Sequence, residues 1–489
     1  MDNSYEKLLA RSKEVGLIHA SASMLNWDQD TFMPKKGVAI RAEQLAWLDG
    51  RAHQLWTDPQ LSDWLHQCHA EERPADSVES ANIREWDHTY QRATRIPVSL
   101  VEEFARAKSM AREAWVEARQ KSDFGRFKPH LSHIIELNRR MAELWGYEDT
   151  PYDALLEEFE PGARTKDLAP LFAELGRGVA ALLRALPLRE LISLDGEYPV
   201  AGQQALNRRV AEAIGFDFEG GRIDTTAHPF CTGIGPGDCR LTTRYNERDF
   251  TQSLFGVLHE AGHGMYEQGL LPEHFGTPMG SAVSLGIHES QSRLWENHVG
   301  RSLEFWEHWL PVAAGYFPHL KRFEPEEVWR AVNKVAPSFI RVEADEVTYD
   351  LHVVLRFEIE RELIEKRLAV ADVPARWNEK FAALFNLKVP DDARGCLQDI
   401  HWSIGSFGYF PTYTLGNLNA SQLFRDAERE ILGLHDSMRK GGYGSLLDWL
   451  RRKVHVHGQR YRARELMTHA TGEATNARFH QEYLKAKFG

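Results

Sequence analysis

The segment His259-Glu260-Ala261-Gly262-His263 carries the residue types and the spacing of a metal-dependent hydrolase. Two histidines four residues apart lie on one face of a helix, about one turn from each other, so both imidazoles can bind one metal ion. The intervening Glu260 can reach a water on that metal without binding the metal itself. Because the motif is short enough to occur by chance, its interpretation depends on the surrounding residues.

The residues around the motif predict a helix from Asp249 to Glu267. Asp249 is a typical N-cap residue, and Gln252 stands at the capping-box position three residues later. The apolar residues that follow recur at helical spacing and form one stripe: Phe250, Leu254, Val257 and Leu258. Gly262 and Gly264 each cost such a helix up to about 1 kcal/mol relative to alanine. We therefore expect this helix to pack closely against a metal and a substrate.

A catalytic zinc site has three protein ligands and one open position, so a third ligand is required. The longer histidine motif of the metzincins is absent, because Tyr266 stands where its glycine would be. We expect a carboxylate from a second helix, and Glu289 is the first candidate. His288 and Glu296 are the alternatives. Zinc is the expected metal and cobalt the alternative, since both suit two imidazoles and a carboxylate.

The composition is that of an ordinary globular protein, with 43% hydrophobic and 27% charged residues in a chain of 489. A net charge of −12 argues against nucleic acid as a partner. The first residues lack the pattern of a secretory signal, and no apolar run is long enough to span a membrane. Four scattered cysteines are too few for a disulfide framework. We therefore expect a cytoplasmic protein with reduced thiols.

Helical patterns dominate the chain and predict a mainly α fold. They cover residues 5–24, 38–68, 78–122, 127–147 and a segment after 340. Strand signals are confined to residues 227–230 and 239–245, which flank a glycine-rich turn at 233–237. We expect these residues to form a small β element just ahead of the metal helix. Neither an internal repeat nor a long linker is visible, which predicts one domain over residues 1–489.

Ordered motifs along the chain resemble those of the M32 metallocarboxypeptidase family, the thermostable carboxypeptidases, over nearly the whole length. They are DxRxT at 238–242, HExxH at 259–263, HESQ at 288–291, IRxxAD at 340–345 and GxxQDxHW at 395–402. The resemblance implies a large two-lobed helical body with a deep active-site groove. It also implies a homodimer that removes single C-terminal residues from peptides with a free C-terminus, with broad specificity.

The family motifs also contain candidates for recognition of the substrate's C-terminal carboxylate. A guanidinium group offers paired donors to a planar carboxylate, which lysine cannot. Arg341 is the first candidate and Arg240 the second. The alternative for each is an internal ion pair, for example with Asp345 or Asp238.

The remaining catalytic roles follow from peptide hydrolysis at a metal. We expect Glu260 to take the proton of the metal-bound water and to pass it to the leaving amine. Resemblance to the wider group of helical zinc peptidases implies that His401 and Tyr409 or Tyr413 donate hydrogen bonds to the oxyanion. Two other functions are considered. An oligopeptidase or dipeptidyl carboxypeptidase would use the same metal chemistry, and a helical scaffold protein would not need these catalytic residue types.

Overall fold

The structure is a computed structural model that describes residues 4–187 and 192–489. Twenty α-helices lie in these residues: α1 (Ser4–Thr31), α2 (Val38–Trp56), α3 (Gln60–His69), α4 (Val78–Arg95), α5 (Val98–Lys121), α6 (Phe124–Trp145), α7 (Pro151–Leu156), α8 (Thr165–Ala185), α9 (Val200–Ile214), α10 (Phe250–Glu267), α11 (Leu285–Arg293), α12 (Leu303–Tyr316), α13 (Pro325–Val332), α14 (Tyr349–Ile364), α15 (Val373–Phe385), α16 (Pro411–Glu430), α17 (Leu434–Arg439), α18 (Gly444–Lys453), α19 (Ala463–Thr471) and α20 (Ala477–Phe488). Within the described residues, no helix combines the length and the hydropathy that a membrane span requires.

Two of the predicted helices are each divided into two. The segment 38–68 consists of α2 and α3, and the segment 78–122 consists of α4 and α5. Both divisions lie at a proline, Pro59 in the first case and Pro97 in the second. Proline disfavours helical backbone in the residue before it, and Ile96 is accordingly extended (φ −95°, ψ 119°). The helical composition on both sides of each proline concealed these breaks.

A small β-sheet precedes α10, as predicted, but it has three strands where the sequence indicated two. The strands are β1 (Gly221–Thr225), β2 (Cys231–Gly235) and β3 (Asp238–Thr243), in the order β1-β3-β2. β1 is parallel to β3, and β2 is antiparallel to it. The predicted strand at 227–230 is wrong, because the second strand occupies the glycine-rich segment. Glycine at position 233 of this strand leaves room for α10, because a Cβ there would collide with Glu267 Oε2 at 2.5 Å.

Two large hydrophobic cores give the molecule its two lobes. The first core is built mainly from α5–α8, α14, α15 and α20, and the second from α9–α12 and α17–α19. Helix α16 belongs to both, with Leu418 in the first core and Leu423 in the second. A cavity of about 500 Å³ lies between α1 and the β2–β3 hairpin, and Glu267 at the end of α10 lines it. The mainly α, two-lobed body is the predicted fold class.

Candidate active site

Helix α10 carries the HExxH motif and packs closely against α11. It begins after Asp249, whose side chain accepts a hydrogen bond from the backbone N–H of Thr251 at 3.0 Å. A Cβ on Gly262 would lie 2.6 Å from the carbonyl oxygen of Gln291 on α11. The backbones of the two helices therefore meet at this glycine, whereas the sequence led us to expect that a metal and a substrate were the close neighbours. This contact brings the side chains of α11 to the two histidines.

The structure brings His259, His263 and Glu289 together. Glu289 Oε2 lies 3.7 Å from His259 Nε2 and 3.5 Å from His263 Nε2. One possible ligand atom from each residue lies within 4.8 Å of the other two, and among the described residues this is the one such cluster of His, Cys, Asp and Glu. Two imidazole nitrogens and a carboxylate oxygen are the donor set of a catalytic zinc site. These residues therefore fit a divalent metal.

The two alternative third ligands lie behind the imidazoles, on their far side from Glu289. Glu296 Oε2 accepts a hydrogen bond from His259 Nδ1 at 3.0 Å, which leaves Nε2 of that ring free. His288 Nδ1 contacts Nδ1 of His263, and His288 Nε2 lies 2.8 Å from Glu267 Oε1. Carboxylates and polar groups in this position fix the orientation of a metal-binding imidazole. Both residues therefore support the histidines from outside the cluster.

Glu289 is held in the ionised form and in one orientation. Arg293 Nε donates to its Oε1 at 2.7 Å, and Ser292 Oγ lies 3.2 Å from its Oε2. Burial raises the pKa of Glu289, but Arg293, His259 and His263 together outweigh that effect and hold the pKa well below its usual range. From the other side, a Cβ on Gly416 of α16 would lie 2.4 Å from Glu289 Cγ. Three helices therefore meet at this carboxylate.

Glu260 lies between the two histidines in sequence and is 7% exposed. Burial, together with the charge of Glu289, raises its pKa to about 7, although His259 opposes the shift. A carboxyl group with a pKa near neutrality can both accept and return a proton at the same pH. Its environment is therefore suited to general acid–base chemistry.

Arg341 is 5% exposed and forms an internal ion pair. Its Nε and Nη2 donate to Asp399 Oδ1 at 3.1 and 2.9 Å, and its Nη1 donates to the Tyr349 hydroxyl at 2.8 Å. The partner is not Asp345, the acid that we considered from the sequence. Asp345 instead accepts backbone N–H groups at 3.0 Å just before α14. The guanidinium of Arg341 also lies 4.8 Å from the centre of the Tyr413 ring.

A second arginine, Arg356, completes this cluster and was not predicted from the sequence. Its side chain is fully buried, and its Nε donates to Asp399 Oδ2 at 2.7 Å. Burial raises the pKa of Asp399, but Arg356 and Arg341 outweigh that effect and keep Asp399 ionised. Burial also lowers the pKa of nearby His401 to about 4, so that imidazole is neutral near pH 7. Two guanidinium groups and one carboxylate leave one positive charge in excess.

A signal for Arg356 is present in the sequence of α14. Its apolar residues recur every four positions, and the polar residues Asp350, His352, Arg356 and Glu360 stand between them. In the structure all four of these polar side chains are fully buried. Charged residues are almost never fully buried unless they are paired. Buried charges inside a long apolar helix therefore point to a polar cluster, but their partners come from distant segments.

His401, Tyr409 and Tyr413 form one aromatic group at the start of α16. His401 Nε2 lies 3.3 Å from the Tyr413 hydroxyl, and the Tyr409 ring centre lies 5.2 Å from that of His401. Tyr413 lies three residues before Gly416, on the face of α16 that contacts Glu289. Burial raises the pKa of both tyrosines, so their hydroxyls remain hydrogen-bond donors at neutral pH.

Arg240 lies on the other side of the sheet. The side chain of Leu241 packs against α10, because a Cβ on Gly264 of that helix would lie 2.9 Å from Leu241 Cδ2. Adjacent residues of a strand point to opposite faces of the sheet, so Arg240 points away from α10. Arg240 accordingly stacks on Trp27 of α1, 4.2 Å from its ring centre. Two hydrogen bonds of 2.8 Å join it to Asp238, the internal partner that the sequence suggested.

Comparison with known proteins identifies the family. A family model described as carboxypeptidase Taq (M32) metallopeptidase matches residues 7–488. The chain belongs to the M32 family. This M32 metallopeptidase is 44% identical to thermostable carboxypeptidase 1 of Thermus thermophilus, over 99% of this chain and 98% of that protein. It is 35% identical to carboxypeptidase 1 of Bacillus subtilis, over 99% and 98% of the two chains.

The fold of this M32 chain agrees with solved structures of the family. An M32 carboxypeptidase from Deinococcus radiodurans R1 matches it with a TM-score of 0.96 at 36% identity, over 100% of this chain and 99% of that one. A Pyrococcus furiosus carboxypeptidase matches with a TM-score of 0.96 at 35% identity, over the same shares. The predicted family, the mainly α fold and the function as a metal-dependent carboxypeptidase are confirmed.

Proposed function

We propose that this M32 metallocarboxypeptidase acts at a divalent metal held by His259, His263 and Glu289. The convergence of one ligand atom from each residue within 4.8 Å carries the proposal. Zinc is the expected metal and cobalt the alternative, because the donor set suits both. When bound, the metal supplies Lewis acidity to the attacking water and to the scissile carbonyl.

Glu260 is proposed as the general base and acid of the reaction. It takes a proton from the attacking water and returns that proton to the leaving amine, so one carboxylate serves both steps. Its position between the two histidines and its burial support this role. Glu296 is hydrogen-bonded to the far side of His259, and Glu289 belongs to the proposed ligand set. Glu260, which also interacts with His259 and Glu289, is the remaining carboxylate for proton transfer.

His401 and the two tyrosines are proposed as donors to the oxyanion that forms on the substrate carbonyl. The proximity of His401 Nε2 and the Tyr413 hydroxyl, at 3.3 Å, supports a shared site. Either tyrosine can be the second donor, since burial, and with it the charge of Glu289, raises the pKa of both Tyr409 and Tyr413. Such donors stabilise charge that develops in the transition state.

Arg341 is proposed to bind the C-terminal carboxylate of the substrate. The excess positive charge of Arg341, Arg356 and Asp399 supports this role, because a buried charge without a counter-ion is costly. A substrate carboxylate beside Arg341 would neutralise the cluster. Since this recognition reads the main chain and not the last side chain, it also supports broad specificity. The substrates are then peptides with a free C-terminus.

Other features of the proposal extend beyond the site. We infer a single peptidase domain over residues 1–489, supported by the family match over 7–488 and by the shared helix α16. A homodimer and a cytoplasmic location remain predictions from the sequence. Light scattering of the purified protein at several concentrations tests the first, and fractionation of the source cells tests the second.

Replacement of Glu260 by glutamine tests the mechanism. We expect kcat to fall at least about 100-fold, the usual contribution of general acid–base catalysis, with the metal content unchanged. Glu273→Gln, at an exposed glutamate just beyond α10, is the matched control. The measurements are metal analysis and mass spectrometry of the products from one peptide with a free C-terminus and from its amidated form.

The outcomes of this experiment are distinct. Unchanged hydrolysis by a metal-loaded Glu260→Gln variant would refute the role of Glu260. Internal cleavage of the amidated peptide by the unsubstituted enzyme would favour an oligopeptidase. Release of single residues from the free peptide alone supports the carboxypeptidase.

A further inference from the structure

The helix that provides Glu289 does not end at the metal cluster. It continues directly into a π-helical segment, Leu294–Gly300. Such wide turns are rare and are frequent at functional sites. This segment carries Glu296, whose Oε2 binds His259 Nδ1 and lies 3.4 Å from Arg293 Nη1. The geometry of the π-helix therefore sets where Glu296 meets the histidine.

The last turn of the π-helix leaves a backbone carbonyl available at Asn297. The amides of Arg301 and Ser302, which follow it, both donate to the carbonyl oxygen of Val299. The final carbonyls of a helix lack amide partners and need other donors. Two side chains from the C-terminal helix α20 meet that need. The Tyr483 hydroxyl and Lys487 Nζ lie 3.2 and 3.3 Å from the carbonyl oxygen of Asn297.

These two side chains are themselves firmly held. Lys487 Nζ lies 2.8 Å from Glu346 Oε2 and 2.9 Å from the Tyr483 hydroxyl. The side chains of Lys487 and Glu346 are only 8% and 7% exposed. The Tyr483 ring packs on His298 of the π-helix, with ring centres 4.0 Å apart. A cation at the C-terminal end of a helix is also favoured by the helix dipole.

We infer that Lys487 and Tyr483 are positioning residues for the metal centre. By holding the carbonyl of Asn297, they restrain the turn from which the neighbouring Glu296 reaches His259. The inference rests on the proposed metal ligands, and it extends the site to the last helix of the chain. Outer partners of metal ligands typically contribute 10- to 100-fold to metal affinity. Lys487 acts one step further out, so we expect about a 10-fold effect.

Metal affinity of the full-length apo-protein tests this role without any measurement of activity. The dissociation constant for zinc is determined by competition with a chelator. We expect Lys487→Met to weaken binding about 10-fold, Tyr483→Phe to weaken it less, and Lys487→Arg to restore most of it. Lys485→Met, on the exposed side of the same helix, is the control and should bind zinc like the unsubstituted protein.

A double-mutant cycle with Glu296→Gln identifies the route of the effect. If Lys487 acts through Glu296, its replacement in the Glu296→Gln background adds no further loss of affinity. An equal loss in both backgrounds would overturn the inference, as would unchanged affinity in a folded Lys487→Met protein. Should that variant not fold, Tyr483→Phe carries the same comparison. Failure of the unsubstituted protein to bind zinc would instead refute the metal ligands themselves.

Discussion

Asp399 is shared by two arginines, and this sharing is the property that makes Arg341 a candidate for substrate binding. A closed pair of one arginine and one carboxylate would be neutral and would need no further ion. Here Arg356 occupies Asp399 Oδ2 while Arg341 occupies Oδ1, so one positive charge is left without a partner in this cluster. Burial lowers the pKa of the Arg356 guanidinium, so the excess positive charge of the cluster is disfavoured in the absence of an anion. In the function proposed above, the carboxylate of the substrate would supply that negative charge.

Replacement of Arg341 by methionine removes the guanidinium and retains much of the apolar stem. We expect kcat/KM for a peptide with a free C-terminus to fall about 100-fold, in line with about 2 to 3 kcal/mol for a charge-assisted bidentate contact. The discrimination between the free peptide and its amide should narrow by a similar factor. Steady-state kinetics on the two peptides measures both effects.

Arg240→Met is the matched comparison, because Arg240 was the second candidate and is bound bidentately by Asp238. We expect this variant to retain the discrimination between free and amidated peptide. Loss of the discrimination in Arg240→Met, with Arg341→Met unaffected, would reverse the assignment of the two arginines.

At the scale of secondary-structure elements, two glycines allow helices to pack closely together. Gly262 lets the backbone of α10 approach that of α11, and Gly416 lets α16 approach Glu289. A side chain at Gly262 would separate α10 from α11, and one at Gly416 would push α16 away from Glu289. This packing explains why a helix tolerates glycine beside a catalytic motif, although glycine alone lowers helix stability.

Gly262→Ala should destabilise the protein by about 1 to 3 kcal/mol, the usual cost of overpacking, because its Cβ would lie 2.6 Å from backbone atoms of α11. Gly256→Ala on the same helix is the control. Its Cβ meets Thr243 Oγ1 at 3.5 Å, which is ordinary contact, so we expect a neutral effect or up to about 1 kcal/mol of stabilisation. Urea unfolding of the metal-free proteins measures both. Equal effects of the two substitutions would contradict the close contact.

The whole molecule is organised around α16, which contributes to both hydrophobic cores. Leu418 lies in the first core and Leu423 in the second, and both are fully buried. Because one continuous helix is shared, loosening either core should loosen the other. The two lobes are therefore expected to unfold together.

Leu418→Ala and Leu423→Ala test this coupling. Each should cost about 2 to 5 kcal/mol, as for other buried leucines, and each should lower the midpoint of one cooperative unfolding transition. Circular dichroism and tryptophan fluorescence during urea unfolding provide two independent probes. Two separate transitions, each shifted by only one of the variants, would show that the lobes are independent.

The sequence by itself determined the features that depend on local spacing. The helix from Asp249 to Glu267, the shared face of His259 and His263, and the mainly α fold follow from periodicity, which acts over a few residues. The two helix breaks at Pro59 and Pro97 and the glycine-rich strand β2 were not predicted. The breaks are a local effect of proline that the helical composition around them concealed, whereas β2 forms because pairing with β3 outweighs the low strand preference of glycine.

Only the tertiary structure decided which distant side chains meet. Asp399 joins Arg341 from 58 positions away and Arg356 from 43, while Lys487 reaches Asn297 from 190 positions away. Local spacing holds no information about such pairs, because they form only when helices from separate segments pack together. The tertiary structure likewise separated Glu289, which joins the histidines, from His288 and Glu296, which support them from behind. Residue type allowed all three, and helix packing chose among them.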